Sequence, residues 1–314
     1  MSSSPALRQF VPPLVRPAAK AVYHRLFRLY LRVRFWWSDL FDRRSARVPL
    51  PPALLRYRVS ELLSAAQFLR SGEGCAGLIQ RSASESGVMF DDTKRVLDFG
   101  CGCGRTVAWL LRDWQAEFHG VDVDAEAVEW CRKNLRPGHF AACGPVPPLA
   151  YPDDFFDIVY CLSVFTHLDE PMQDLWLNEL HRILKPSGVL LFTVFGESTR
   201  GLLTGEEVAR LDVQGFLHKR SEKLRGLVPD WYHTTWHSRD YIVHRLARWF
   251  EDIRYTVVPD GMQDVVSAVK PERSALRWAR RSSTRARLAG ESQSQEIAEN
   301  SRAVDGRSPG STGS

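Results

Sequence analysis

Apolar positions along this chain follow two alternating rhythms. From Arg95 onward the short apolar runs "RVLDFG", "EFHGVDVD", "HFAAC", "FFDIVYCLSVF" and "KPSGVLLFTVF" are separated by "GRTVAWLLRDW", "AEAVEWCRKNL" and "EPMQDLWLNELHRIL". Short apolar runs bounded by turn signals read as strands covered on both faces. The longer stretches repeat their apolar residues every ~3.6 positions and read as amphipathic helices. Strand and helix in regular alternation predict a parallel sheet with helices on both faces and right-handed crossovers. "DIRYTVVP" and "DVVSAVK", joined by "DGMQ", predict a closing hairpin that adds one antiparallel strand, the last in the chain. The expected fold class is therefore α/β, doubly wound and mostly parallel.

The rest of the chain divides by the same patterning. Residues 20–44 gather Tyr23, Leu26, Phe27, Leu29, Tyr30, Val33, Trp37, Leu40 and Phe41 on one helical face, with Arg25, Arg28, Arg32 and Arg43 opposite. A helix of that kind covers a core or lies on an anionic membrane surface. "VPLPP" ends this arm, placed at residues 1–47. Helical stretches are expected at 53–71 and 73–87, split by "SGEG". Residues 196–237 break the strand–helix rhythm and read as a lid or substrate insertion within a domain spanning 48–272. A helix capped by Ser238 follows. Residues 273–314 are rich in Ser, Arg, Glu and Gly and read as a disordered tail, with too little apolar surface to offset ordering entropy.

Composition narrows the class. The chain has 314 residues, 44% hydrophobic and 25% charged, a soluble globular profile. Its net charge of +5 comes from arginines concentrated in the flanks, which gives no strong nucleic-acid signal. The six cysteines are irregularly spaced, with no CxxC pair and no Cys/His cluster of zinc spacing, so reduced thiols and no metal are expected. No apolar run reaches the roughly 20 residues of a membrane span and no signal-peptide core is visible. The expected location is cytoplasmic, with peripheral contact at the inner membrane surface through residues 20–44.

The densest chemistry lies in "VLDFGCGCGR", residues 96–105. Strand, glycine loop and helix occur in that order, which puts Gly100, Gly102 and Gly104 at the carboxyl end of the first strand. Ligands of open α/β sheets bind there. The spacing is GxGxG behind Asp98, since the last glycine of a GxGxxG fingerprint would fall on Arg105. Asp122 closes the second strand about twenty residues on, where an acid can accept both ribose hydroxyls. Asp124 is better placed to cap the following helix. Cys101 and Cys103 are read as small spacers between the glycines.

This loop resembles the (D/E)xGxGxG motif of the class I S-adenosylmethionine-dependent methyltransferases. "LAYPDDFFDIVYCLSVFTHL" and "LHRILKPSGVLLFTVF" resemble two further blocks of that family, in register over about residues 94–195. "LLRYRVSE", "TWHSRDY" and "GMQDVV" are similar to one bacterial subgroup of it. The resemblance implies a Rossmann-like seven-stranded sheet and S-adenosylmethionine as methyl donor. It implies donor contacts from Asp98, Gly100, Gly102, Gly104, Arg105, Asp122, Val123 and Val146. Where family members carry an acid against the adenine amino group, this chain has "CGPVPPL", so backbone groups and apolar contact are expected to hold the adenine. Arg58 is a second candidate, beside Arg105, for the donor carboxylate.

Methyl transfer from a sulfonium needs no metal, and positioning supplies much of the acceleration. A base is needed only where the acceptor carries a proton. His167, on the loop after the fourth strand, and His237, in "WYHTTWHS", are the catalytic candidates, with His233 a weaker one. Trp231, Tyr232 and Trp236 suit a pocket wall. The expected activity is methyl transfer to a small-molecule or glycan acceptor, directed to oxygen. Nucleic-acid or protein methylation and a non-catalytic donor-fold scaffold are the alternatives. "CLSV" after the fourth strand departs from the (N/D/S)PP(Y/F/W) pattern of amino-group enzymes.

Overall fold

A computed structural model of the chain describes residues 46–60, 64–219, 233–258 and 263–272, with scattered helical positions between Val22 and Asp42. The expected tail at 273–314, with Trp231 and Tyr232, lies outside the described residues. In chain order come helices α1 (Ala53–Ser60) and α2 (Ala65–Glu85), then β1 (Arg95–Phe99), α3 (Val107–Asp113), β2 (Glu117–Asp122), α4 (Ala125–Asn134) and β3 (His139–Ala142). Next are β4 (Phe156–Cys161), α5 (Glu170–Ile183) and β5 (Leu184–Val194). A 3-10 turn (Glu197–Leu202), α6 (Gly205–Gln214), β6 (Phe216–Lys219), β7 (Thr234–His237), α7 (Arg239–Leu246), β8 (Glu251–Thr256) and β9 (Asp264–Val269) follow.

Seven strands form one sheet in the order β3-β2-β1-β4-β5-β9-β8. The β1–β2, β1–β4, β2–β3 and β4–β5 pairs are parallel, and β9 runs antiparallel to both β5 and β8. The Rossmann-like doubly wound sheet expected from the sequence is present, with its antiparallel last strand. Alternation of side chains builds a core on each face. Val96, Ile158, Tyr160, Val189 and Leu191 pack with Ile79, Trp109 and Val128 on one side. Their neighbours Leu97, Val159, Cys161, Leu190 and Phe192 pack with Trp176, Leu177, Ile242 and Leu246 on the other. Each fully buried aliphatic side chain contributes about 1.5–3 kcal/mol, which is why these strands read as nearly continuous apolar runs.

Helix ends follow local chemistry. Asp124 caps α4, Asp169 caps α5 and Ser238 caps α7 through their side-chain oxygens. The split expected at "SGEG" does not occur, for α2 runs unbroken through it. Gly72 is a packing residue there: a Cβ would lie 2.3 Å from the backbone oxygen of Arg105 and 2.9 Å from Trp109 Nε1. The glycine admits α3 against α2, and a turn is not its purpose. Where the strand–helix rhythm breaks, β6 and β7 pair as a two-stranded antiparallel sheet, an element with no strand signal in the local sequence pattern.

Candidate active site

At the carboxyl ends of β1, β2 and β4, where the strand order switches direction, lies a cavity of about 650 Å³. The β1 loop forms its floor. Gly100, Gly102 and Gly104 take φ of 82°, 51° and 74°, a region closed to most side chains. A Cβ on Gly100 would lie 2.4 Å from Val164 Cγ2, and one on Gly102 would lie 2.6 Å from Val59 Cγ2. Both glycines line the cavity. Gly104 does not; a Cβ there would meet Leu135 Cδ1 at 2.2 Å, so this glycine lets α4 close on the loop.

The cysteines between them are free, buried and small. Cys101 has its Cβ against Gly120, and burial pushes the Cys103 thiol well above its ordinary value. Cys131 donates its thiol to the Gly102 oxygen at 3.5 Å. Neutral thiols at these positions fill the loop.

Asp98 is 4% exposed and lines the cavity. Burial raises its carboxyl to about 7; the Tyr160 hydroxyl lowers it, the Asp122 charge raises it further, and Arg105 lowers it last. Asp122 accepts the Gly102 amide at 2.7 Å on one oxygen and the Asp124 amide at 2.8 Å on the other. One side chain thereby ties the β1 loop to the β2 loop. Burial also raises its carboxyl. Asp124 accepts from the Glu126 and Ala127 amides, the capping role expected of it.

Arg105 reaches the cavity and donates to Ser71 Oγ at 2.6 Å. Arg58 also lines it, paired with Asp124 at 3.0 Å and Glu126 at 2.8 Å. Val123 and Val146, at the ends of β2 and beyond β3, leave 44% and 51% of their surface exposed at the rim. They offer two apolar walls, a surface suited to a flat ring.

On the β4 side the wall is Leu162, Ser163, Val164, His167, Leu168 and Met172. Of these, His167 alone is a candidate from the sequence, although the rule that places the glycines, the carboxyl ends of strands, also covers Leu162, Ser163 and Val164 after β4. Ser163 has φ of 60° and donates its amide to Thr193 Oγ1 at 2.8 Å. His167 donates from Nδ1 to the His233 carbonyl at 2.6 Å, which leaves the lone pair on Nε2. Burial lowers its imidazolium to about 4, so the ring is neutral at pH 7.

His237 does not line the cavity, contrary to its candidacy as a catalytic residue. It is 0% exposed, and burial lowers its imidazolium to about 3. Its Nε2 donates to Gln173 Oε1 at 3.0 Å, while Gln173 Nε2 donates to the carbonyls of Phe165 at 3.0 Å and Leu168 at 3.1 Å. Thr235 adds its amide to the Thr166 oxygen at 2.8 Å and its hydroxyl to the Leu168 oxygen at 2.9 Å. The β7 strand therefore grips residues 165–168 from behind. Trp236, expected in a pocket wall, stacks on Phe195 with centroids 5.4 Å apart, in a separate small core with Leu211 and Leu217. The strand period explains both outcomes, because alternate residues of β7 point into packed layers.

Comparison with known proteins agrees with this geometry. The family described as methyltransferase domain matches residues 97–192. A fatty-acid O-methyltransferase of Mycolicibacterium smegmatis is 35% identical over 103 residues, 32% of this chain and 36% of that protein. A malonyl-[acyl-carrier protein] O-methyltransferase of Halorhodospira halophila is 33% identical over 136 residues, 41% of this chain and 44% of that protein. The match thus spans less than half the length of either relative. Among solved structures, a putative O-methyltransferase from Nostoc punctiforme aligns with a TM-score of 0.49 at 17% identity, covering 69% of this chain and 60% of that one. With its motifs, sheet order and glycine-floored cavity in one register, residues 97–192 form a methyltransferase domain of the S-adenosylmethionine-dependent class.

Proposed function

We propose that the protein transfers a methyl group from S-adenosylmethionine to an oxygen of a small molecule. The observation that carries this reading is the cavity itself: backbone laid bare at Gly100 and Gly102, with buried Asp98 and half-buried Asp122 on either side. A buried carboxylate without a cationic partner is costly. Asp98 therefore suits a ligand that brings a positive charge, and the donor's ammonium is one. Asp122 has further lone pairs for ribose hydroxyls, while Val123 and Val146 hold the adenine by apolar contact in place of the missing acid. Arg105 and Arg58 stand at the carboxylate end.

When bound, S-adenosylmethionine supplies a methyl group already made electrophilic by its sulfonium. The chain's residues then have to orient an acceptor in line with it and exclude water. The β4 side of the cavity offers Leu162, Val164, Leu168 and Met172, with Ser163 and His167 as polar groups. That lining favours a small acceptor with an apolar body over a glycan. His167 accepts the acceptor's proton at Nε2 where there is one to lose. His237 and Gln173 are positioning residues that hold its loop. The relatives named as O-methyltransferases of a fatty acid and a malonyl-[acyl-carrier protein] support oxygen as the acceptor atom.

The basic arm at residues 20–44 is assigned to contact with an anionic membrane surface from the inner, cytoplasmic side. Val22, Leu26, Leu29 and Val33 recur at helical spacing, and each is at least 55% exposed. Among the described residues no helix is long and apolar enough to cross a membrane. Calorimetry with S-adenosylmethionine tests the donor. Transfer of labelled methyl to fatty acids, phenols and sugars then tests the acceptor, and a protein that binds no donor overturns the proposal. Loss of binding to anionic liposomes on deleting residues 1–46 is the outcome expected of the arm, and unchanged binding refutes that part.

A further inference from the structure

The amino-terminal edge of the sheet carries a cluster that methyl transfer does not use. His119 on β2 and His139 on β3 are directly opposite in the parallel register. Glu117 lies two residues before His119 and so on the same face of the sheet. The ligand atoms of all three fall within 4.8 Å of one another. The cavity lies at the carboxyl ends of the same strands, so this group is remote from the donor loops.

Hydrogen bonds and ring stacking already hold the three side chains together. Glu117 divides its two oxygens: Oε2 pairs with Arg95 Nε at 2.9 Å, and Oε1 faces His119 Nε2, also at 2.9 Å. The proton held between Oε1 and Nε2 stands where an ion can replace it without disturbing the arginine pair. His119 is 8% exposed, and its other nitrogen, Nδ1, is 3.4 Å from the Tyr151 hydroxyl. A metal-bound histidine commonly gives its second N–H to such a partner, which fixes the ring. Packing locks the His119 ring further, edge-on to Phe155 and Phe156. The His139 ring stacks on it at 4.9 Å between centroids, and His139 is exposed, so one side of the ligand set is open to water.

We propose that Glu117, His119 and His139 bind a divalent transition-metal ion and thereby pin the edge strand β3 to β2. Two imidazoles and one carboxylate suit Zn²⁺ or Ni²⁺; Mg²⁺ and Ca²⁺ prefer sets made wholly of oxygen. Water completes the coordination on the exposed side. The strand pairing explains why no linear motif announces the site: twenty residues separate His119 from His139, and only the β2–β3 register brings them together.

The test uses the whole chain after chelator treatment, titrated calorimetrically with NiCl₂ and with ZnCl₂. One ion per chain is expected, and it should raise the thermal midpoint. His139→Ala, an exposed position, should weaken binding by about tenfold or more and abolish the thermal shift. Glu117→Gln should behave likewise, with donor binding unchanged in both variants. Substitution with Co²⁺ separates this site from the thiols, because nitrogen and oxygen ligands give visible bands without thiolate charge transfer. The proposal fails if His139→Ala binds as tightly as the parent. It fails equally if thiolate charge transfer accompanies binding, or if no ion binds at millimolar concentration.

Discussion

Donor affinity should depend on pH through Asp98. The carboxyl sits at about 7 with no ligand beside it, mainly because burial opposes its charge. A cationic ligand binds the ionised form, so below pH 7 each unit of acidification should weaken binding about tenfold, or ~1.4 kcal/mol. At pH 5 the ionised fraction is about 1%, and affinity should lie roughly a hundredfold below its plateau. An alkaline limb is expected above pH ~8 as the donor's α-amino group loses its proton. Calorimetric titration with S-adenosylmethionine from pH 5 to 9 traces both limbs.

Asp98→Asn should bind about ten- to a hundredfold more weakly at pH 7.5, the cost of losing a charged hydrogen-bond partner, and should lose the acid limb. Stability gives an independent check. The folded-state carboxyl lies above its unfolded value of 3.8, so the ligand-free parent should lose stability as pH rises from about 4 to 7. Asp98→Asn escapes that loss and should be the more stable protein at pH 8, with the gap closing towards pH 4. The reasoning is refuted if parent affinity is flat between pH 5 and 7, or if the asparagine variant keeps the acid limb.

Other substitutions test separate parts of the site. Gly102→Val, at φ 51° and with Val59 already 2.6 Å from any Cβ, should lose donor binding in calorimetry, whereas Cys101→Ala and Cys103→Ala should keep it. Asp122→Ala removes the acceptor of the Gly102 and Asp124 amides and should weaken donor binding at every pH, read by the same titration. His237→Ala leaves Gln173 Oε1 buried without its donor and should cost about 1–3 kcal/mol in denaturant unfolding. It should also lower kcat with little change in donor Kd, a split that a merely structural role would not give. With a hydroxyl acceptor, His167→Ala should reduce kcat and remove any inflection near pH 4 from the rate profile.

Much of this was legible in residue order. The strand runs, the Asp124 and Ser238 caps, the glycine loop and its acidic partner Asp122 are local signals. Each rests on backbone conformation or apolar spacing within a few residues, and the structure keeps them. The errors share one cause. Gly72 in "SGEG" looked like a break because its neighbour in space, the backbone of Arg105, is far away in sequence. His237 and Trp236 looked like pocket residues because aromatic and histidine side chains suit one; the pairing of β7 with β6 and its grip on residues 165–168 turned them inward.

The sequence by itself determined the alternation of strand and helix, hence a doubly wound sheet, and the glycine loop where a ligand could approach bare backbone. Only the tertiary structure decided which polar groups are buried. That burial raises Asp98 to about 7 and lowers His167 to about 4, because desolvation depends on every neighbour at once. It also decided that His119 and His139 stand side by side, since strand register is set by the packing of whole faces and by no local signal.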